Sequence, residues 1–377
     1  MTFELLATDG AARAGRLTTA HGAVDTPVFM PVGTRGAVKS LSPDDLRDAG
    51  AQIVLGNTYH LLLRPGHEVI RELGGLHRFM GWEGALLTDS GGFQVWSLAK
   101  LRKITADGVE FRSPVDGAAH FLSPELAIEI QHALGADVIH PLDECLGHPA
   151  TRADAERSLA LTLAWAARSQ AAHRARGVGR QALFGIVQGG TDESLRRRAV
   201  AETVALGFVG YAIGGMAVGE PKPAMYETIE LVAGLLPAGR PRYLMGVGKP
   251  EDLVEAIARG VDMFDCVLPT RNARNGQCFT WDGPVAIKHA RFTRDPAPLD
   301  GACACYACRR FSRAYLRHLF MSDELLAYRL LSLHNVHFFV GLVRAMRMAI
   351  AAGAFGAFKA RFFSRYAVSS VDASRDR

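Results

Sequence analysis

The sequence lacks a long apolar segment. A membrane-spanning helix needs a run of about 18 apolar residues or more, and the best candidate, residues 341–358, is interrupted by Arg344 and Arg347. The first ten residues, MTFELLATDG, have neither the basic start nor the apolar stretch of a secretory signal. We therefore expect a cytoplasmic protein without a membrane partner.

Cysteines are few, since six occur among 377 residues, and cytosolic thiols are normally kept reduced. A disulfide-stabilised miniprotein is therefore excluded, and 49% hydrophobic with 21% charged residues excludes a disordered or collagen-like chain. The net charge of +5 is mild, but residues 286–377 carry 15 Lys and Arg against 6 Asp and Glu. This basic quarter suits a polyanionic partner, although a solvated arginine-rich surface has the same composition.

No GxGxxG motif follows the first strand to favour a dinucleotide-binding fold. What is present is a repeated unit: a helical pattern, a glycine and a short apolar run that ends in polar residues. The seven runs are AQIVLGN, ALLTD, ADVIHPLD, ALFGIVQ, FVGYAIGG, RYLMGVG and VDMFDCV. Such runs between helices are typical of parallel strands buried on both faces. The sequence therefore predicts an α/β protein with a (β/α)8 TIM-type barrel, and a doubly wound open sheet is the alternative.

Three further segments complete the predicted layout. Short alternating patterns in residues 3–38, separated by glycine and proline, indicate a β-rich lead-in to the barrel. We place the lead-in and the main part of the barrel in residues 1–285, a zinc-binding subdomain with closing helices in residues 286–367, and a polar tail in residues 368–377.

Polar residues follow the apolar runs, and the active site of a TIM barrel lies where its strands end. In chain order they are Asn57, Asp89, Asp143, Gln188, Gly214 with Gly215, Gly246 to Gly248, and Asp265. Asp89 and Asp265 form a pair suited to proton transfer and nucleophilic attack at a glycosidic carbon. Asp143 can accept from ring N–H and amino groups while Gln188 donates to a ring oxygen, which suits a guanine-like edge. Any one of these residues can also be polar merely because the chain reaches the surface there.

The densest cysteine cluster is Cys303-Ala-Cys305-Tyr-Ala-Cys308, with His334 and His337 further along the chain. Three thiolates and one imidazole fill a tetrahedral zinc site and leave no position for water, so we expect one structural zinc ion. Spacing alone does not decide between the two histidines. A chance cluster of buried cysteines is the alternative to a metal site.

Several segments resemble bacterial tRNA-guanine transglycosylases: TDSGGFQ, HPLDEC, GIVQGG, YAIGGMAVGE, LMGVGKP, FDCVLPTRNARNG and the CxCx2C cluster with its later histidine. They follow the family's order through His334. The resemblance implies an enzyme that exchanges the wobble guanine of U-G-U anticodons in tRNA for 7-aminomethyl-7-deazaguanine (preQ1), in queuosine biosynthesis. It also implies one structural zinc ion per subunit, no ATP or nucleotide cofactor, and a homodimer.

The same resemblance assigns roles to individual residues. Asp265 matches the nucleophile that forms a covalent tRNA–enzyme intermediate, and Asp89 matches the general acid/base of this double displacement. The implied base-binding residues are Ser90, Gly91, Gly92, Phe93, Asp143, Cys145, Gln188, Gly215, Met216 and Met245. The implied RNA-binding residues are Gly246, Val247, Gly248, Lys249, Pro250, Glu251, Asp252, Thr270, Arg271, Asn272, Ala273 and Arg274. The implied zinc ligands are Cys303, Cys305, Cys308 and His334, and Cys145 with Val218 resembles members that take preQ1.

A non-catalytic, zinc-containing subunit that binds tRNA beside such an enzyme is the main alternative. It would keep the zinc cluster and the basic surface but lose the nucleophile, whereas Asp89 and Asp265 are both present. A zinc hydrolase of nucleobases is a second alternative, and it needs an open metal position and an HxE motif that this sequence lacks.

Overall fold

The computed structural model describes residues 1–98, 102–177 and 179–366, so the predicted polar tail lies outside the described residues. The strands are β1 (Thr2–Asp9), β2 (Ala12–Thr19), β3 (Gly22–Thr26), β4 (Val28–Pro31), β5 (Ile53–Gly56), β6 (Ala85–Thr88), β7 (Arg102–Thr105), β8 (Gly108–Arg112), β9 (Ala119–Leu122), β10 (Val138–Ile139), β11 (Ala182–Val187), β12 (Gly210–Ile213), β13 (Arg242–Leu244), β14 (Met263–Cys266), β15 (Gln277–Thr280) and β16 (Gly283–Ala286). The helices are α1 (Pro43–Asp48), α2 (Thr58–Leu63), α3 (His67–Glu72), α4 (Leu76–Met80), α5 (Gly92–Leu98), α6 (Pro124–Leu134), α7 (Arg152–Ala175), α8 (Glu193–Ala205), α9 (Lys222–Leu235), α10 (Pro250–Ala258), α11 (Leu268–Arg274), α12 (Tyr306–Arg310), α13 (Arg313–Met321), α14 (Leu325–Ala351) and α15 (Phe355–Arg365).

Eight strands form one parallel sheet, in the order β4-β14-β13-β12-β11-β10-β6-β5. A parallel bridge between Val32 and Leu55 joins its two outer strands, and the N–H of Gly33 donates to the carbonyl of Leu55 over 2.7 Å. The sheet therefore closes into the TIM-type barrel that the sequence predicts, and the open-sheet alternative is wrong.

The sequence pattern identifies seven of the eight barrel strands. The eighth, β4, lies in the segment assigned to the β-rich lead-in, and it pairs with β14 from Val28 opposite Met263 to Pro31 opposite Cys266. The four residues of β4 are buried, but the strand is short and ends at a proline. Its sequence alone therefore does not mark it as a barrel strand. The rest of the lead-in, β1 to β3, forms a separate antiparallel sheet.

The core has two layers because alternate residues of each barrel strand face opposite sides. Met30, Leu87 and Phe184 belong to the cluster that fills the barrel. Their neighbours Phe29 and Leu86 belong to the larger cluster between the strands and the surrounding helices. The strands are therefore apolar on both faces, as the predicted runs require.

Capping residues fix where several helices begin. The hydroxyl of Ser123 accepts from the N–H of Leu126, Pro124 opens α6, and the left-handed Gly135 (φ 74°) closes it. Thr151 and Asp192 cap α7 and α8 in the same way. Such caps satisfy N–H groups that have no partner within the helix, so each helix starts at a fixed distance from the strand end before it.

The long helix α14 connects the barrel with the C-terminal elements. It packs against β4 and α10 of the barrel and also against α12, α13 and β15. By length and composition α14 could cross a membrane, but 67% of its apolar stretch is buried inside the protein, which is typical of a core helix. The division of the chain at residue 286 stays a prediction.

Candidate active site

The polar strand ends meet on one rim of the barrel and are joined by hydrogen bonds. Asn57, after β5, donates to Asp89, after β6, over 2.5 Å. Gln188, after β11, donates to Asp143, beyond β10, over 2.8 Å. The N–H of Gly246, beyond β13, donates to Asp265 of β14 over 2.7 Å. The rim is therefore a continuous polar surface at the carboxyl ends of the strands.

Asp89 is almost fully buried, with 8% of its surface exposed. Its Oδ2 accepts from Nδ2 of Asn57 over 2.5 Å and from Nε2 of Gln94 over 2.7 Å. Its Oδ1 accepts from the N–H of Thr58 over 2.8 Å. Burial raises the pKa of Asp89 to about 6, these donors oppose the rise, and the charge of Asp265 adds to it. A carboxyl group with such a pKa can give and take a proton near neutral pH.

Asp265 lies on β14 and is less buried than Asp89. Its Oδ1 accepts from the hydroxyl of Tyr243 over 2.6 Å and from the N–H of Gly246 over 2.7 Å. Burial also raises the pKa of Asp265, and burial beside this carboxylate raises the pKa of Tyr243 far above its ordinary value, so the phenol stays a donor. One carboxylate oxygen is thus held in place, which orients the other.

Asp143 and Gln188 form the predicted base-recognition pair. Oδ1 of Asp143 accepts from the hydroxyl of Ser90 over 2.8 Å, and its Oδ2 accepts from Nε2 of Gln188 over 2.8 Å. A Cβ on Gly92 would lie 2.4 Å from the carbonyl of Asp143, and a Cβ on Gly215 would lie 2.4 Å from Oε1 of Gln188. The two glycines therefore allow the backbone to approach both recognition side chains.

Other predicted base-binding residues surround this pair. Cys145 and Met216 are buried, each 4% exposed, and Met245 is partly buried. Phe93 follows Gly92 on α5 and is 47% exposed at the rim. A small cavity beside Gln188 and Gly215 is also lined by Glu144 and Ser158.

The two predicted RNA-binding segments lie on either side of Asp265 in the sequence. Residues 246–252 follow β13, and residues 270–274 form the end of α11, where Arg271 is exposed. Glu251 and Asp252 form ion pairs with the ammonium group of Lys222, over 2.9 Å and 2.7 Å. These two carboxylates are therefore occupied by a contact between α9 and α10.

The predicted metal ligands converge. The Nδ1 atom of His334 lies 3.7, 3.6 and 3.3 Å from the sulfurs of Cys303, Cys305 and Cys308. Tetrahedral Zn–S and Zn–N bonds of about 2.3 and 2.0 Å place nitrogen and sulfur about 3.6 Å apart. The other ring nitrogen of His334 donates to the carbonyl of Phe279 over 2.8 Å, which leaves Nδ1 free to bind a metal. These four residues can hold one metal ion, whereas His337 contacts Cys303 alone, over 3.5 Å.

Sequence reasoning missed several residues that position this site. Tyr243 and Gln94 stand in quoted segments but received no role, although each donates to one of the two predicted catalytic carboxylates. Arg196 is fully buried on α8 and reaches the ends of β11 and β12. Helical spacing places Arg196 on the buried face with Ala199 and Val200, but the carbonyls that it contacts lie elsewhere in the chain and leave no local signal.

Comparison with known proteins identifies the family. The family described as "Queuine tRNA-ribosyltransferase" matches residues 9–368. A protein of that name from Symbiobacterium thermophilum is 57% identical over 366 residues, which cover 97% of this chain and 91% of the relative. Its namesake from Solidesulfovibrio magneticus is 57% identical over 365 residues, 97% of this chain and 98% of the relative. A third, from Thioalkalivibrio sulfidiphilus, is 55% identical over 373 residues, 98% of this chain and 100% of the relative. With its barrel, its rim of carboxylates and its Cys3His cluster, the chain belongs to the queuine tRNA-ribosyltransferase family.

Proposed function

We propose that this enzyme exchanges the wobble guanine of U-G-U anticodons in tRNA for preQ1, as a step of queuosine biosynthesis. The observation that carries the proposal is the rim itself. Asp89 and Asp265 interact electrostatically and are held by neutral donors, next to an Asp143–Gln188 pair suited to a guanine edge. This combination joins a site for glycosidic chemistry with a site for purine recognition.

Asp265 is the proposed nucleophile. Tyr243 and Gly246 both bind its Oδ1, so Oδ2 forms the bond to C1′ of the ribose while the bond from C1′ to N9 of guanine breaks. The departing base takes the bonding electron pair and a proton from Asp89, whose raised pKa lets it act as the acid. In the second step Asp89 removes a proton from the incoming base, whose nitrogen attacks C1′ and releases the Asp265 carboxylate. Two inversions at C1′ give net retention of configuration.

Base recognition requires the Asp143–Gln188 hydrogen bond to open. A bound guanine edge would donate its ring N–H and amino group to Asp143 and accept from Gln188 at its ring oxygen. The carboxyl of Glu144 lines the adjoining cavity, and burial raises its pKa. A cationic aminomethyl group bound beside Glu144 would favour its ionised form and pair with it, which is how the site would accommodate preQ1.

The remaining parts of the proposal concern RNA, metal and assembly. Gly246, in the loop after β13, contacts Asp265, and Arg271 and Arg274 lie on α11, which follows Asp265 in the chain. We propose that a flipped nucleotide and its neighbours lie against these segments. We propose Zn²⁺ for the Cys3His cluster, in a purely structural role. The homodimer and the cytoplasmic location stay predictions, and the exposed Tyr306 and Tyr315, the latter lining a cleft of about 530 Å³, are candidates for the subunit contact.

Exchange of labelled bases tests the reaction. We expect guanine and preQ1 to enter an unmodified anticodon stem-loop that contains U-G-U, and not the same loop with its central G replaced by A. Light scattering on the same sample gives the subunit number. Tight binding of the U-G-U loop without exchange of either base would instead favour the non-catalytic tRNA-binding subunit.

Metal analysis tests the cluster. Cys308→Ala should lose the ion together with several kcal/mol of folding free energy, because metal binding and folding are coupled in closed sites. Cys278→Ala is the matched control, since Cys278 is buried in the same region but outside the cluster. Full zinc occupancy in the Cys308 variant would contradict the assignment.

A further inference from the structure

Arg196 carries a buried positive charge behind the base-recognition pair. Its side chain is fully buried, and the hydrogen bonds of its guanidinium go to backbone carbonyls rather than to a carboxylate. Burial lowers the pKa of Arg196 to about 10, so the group stays protonated at neutral pH. The charge of Glu220 acts on it at longer range, but the Glu220 carboxylate accepts from the N–H groups of Ala217 and Val218 instead.

The guanidinium donates to three backbone carbonyls. Nε donates to Gly190 over 2.7 Å, Nη1 to Val187 over 2.7 Å and Nη2 to Gly214 over 2.9 Å. Val187 and Gly190 lie on either side of Gln188, and Gly214 directly precedes Gly215. One rigid, planar group therefore links the ends of β11 and β12 at the two residues that are proposed to read the base.

The loop around Gln188 is also pressed against the start of α8. A Cβ on Gly189 would lie 3.2 Å from the backbone nitrogen of Arg196, and the Asp192 cap fixes the first turn of this helix. A Cβ on Gly215 would lie 3.7 Å from Nη2 of Arg196. The cation is thus held close to the part of the pocket formed by Gln188 and Gly215.

A buried cation without a carboxylate partner is costly, and here three hydrogen bonds to backbone carbonyls at the base-recognition loops offset that cost. We propose that Arg196 is a positioning residue for base exchange: it fixes Gln188 and Gly215, and its charge stabilises the negative charge on the purine as the C1′–N9 bond breaks. This inference rests on the proposed function. The physical basis is that preorganised charge in a water-poor site acts strongly on charge that develops during the reaction.

Two substitutions separate the contacts from the charge. Arg196→Met removes both, and we expect about 30-fold lower kcat and about 10-fold higher KM for guanine. Arg196→Lys keeps the charge but cannot bridge three carbonyls, so we expect it to recover most of kcat and little of KM. Arg197→Met is the matched control, because Arg197 is its exposed neighbour and pairs with Glu193. Melting temperature and zinc content confirm that each variant is folded.

The outcomes separate this inference from the proposed function. Calorimetric titration with guanine needs no turnover, and we expect binding to Arg196→Lys to be about 10-fold weaker than to wild type. Wild-type guanine affinity in Arg196→Lys would overturn the inference even if Arg196→Met fails to fold. If both variants fold, equal losses of kcat in the two would also overturn it. Absence of exchange in wild type and Arg197→Met alike would refute the proposed function, and the guanine titration would then decide on the contacts of Arg196.

Discussion

Buried carboxylates stand at both ends of the barrel, but their partners differ. At the carboxyl ends of the strands, Asp89, Asp143 and Asp265 accept from amides, hydroxyls and backbone N–H groups. At the amino ends, Asp262 faces Nε of Arg13 over 3.2 Å, and Asp137 faces His21 over 2.8 Å and His77 over 3.3 Å.

Partner type alone does not decide the direction of the pKa shifts. Burial raises the pKa of Asp89, Asp143 and Asp265, whereas the hydrogen bonds to Asp137 hold its pKa below the ordinary value despite burial. Asp262 is fully buried, and burial outweighs Arg13 and raises its pKa to about 6. Neutral donors orient a carboxylate without neutralising it, so it remains reactive. A carboxylate paired with a cationic or imidazole side chain instead links distant segments of the chain, as Asp262 does with Arg13 and Asp137 with His21 and His77.

The largest expected effect separates two aspartates of the same strand region. Asp265→Asn should abolish the covalent adduct and lower exchange by at least about 10⁴-fold, because the nucleophile is lost. Asp262→Asn, three residues earlier, should keep kcat per folded molecule but lose about 3 kcal/mol of stability, because Arg13 is left buried without its partner. Single-turnover exchange and chemical denaturation measure the two effects. An undiminished adduct in Asp265→Asn would end the assignment of the nucleophile.

A smaller effect concerns stability at the amino end. Asp137→Asn should decrease the free energy of unfolding at neutral pH by about 2 kcal/mol, with unchanged kcat. Since the folded-state pKa of Asp137 is depressed, its stabilisation is present above the unfolded pKa and is lost as pH falls through the folded pKa. The difference between variant and wild type should therefore vanish in acid. Asp143→Asn is the matched change at the other end, where removing a buried charge should weaken base binding without lowering the melting temperature.

The smallest expected effect is a shift in pH dependence. Asn57→Leu removes a donor to Asp89, so the pKa of Asp89 should rise from about 6 by roughly one further unit. The second step needs the base form of Asp89, which removes a proton from the incoming base. The acid limb of kcat should therefore move to higher pH, so that the variant loses more activity at pH 6 than at pH 8. Gln94→Leu should act in the same direction, since Gln94 binds the same oxygen. An acid limb that stays in place, or moves down, would show that Asp89 does not control it.

Much of the fold and the site is predictable from local patterns. Runs such as ALLTD and VDMFDCV identify a buried strand by composition, and a barrel brings their carboxyl ends together, which places Asp89 and Asp265 on one rim. The Cys3His cluster, which can hold one metal ion, follows from ligand type and spacing. Three cysteines within six residues need only one distant imidazole, and the resemblance selects His334, as the structure confirms.

The features that escaped prediction depend on contacts between distant segments. β4 is identified by its pairing with β14, more than 200 residues away, while its own four residues are unremarkable. The resemblance identifies His334 as a ligand, but the hydrogen bond from its second nitrogen to the carbonyl of Phe279 has no signal in the local sequence. Helical spacing places Arg196 on the buried face of α8, but only the closed barrel shows that its guanidinium meets carbonyls at the ends of β11 and β12.

Mapping the covalent intermediate tests the chemistry most directly. The enzyme is incubated with an unmodified U-G-U stem-loop, denatured, digested and analysed by mass spectrometry. We expect the ribose to be attached to the side chain of Asp265, and we expect no adduct in Asp265→Asn. Attachment to Asp89, or base exchange that proceeds without any trapped adduct in wild type, would contradict the double displacement proposed for this rim.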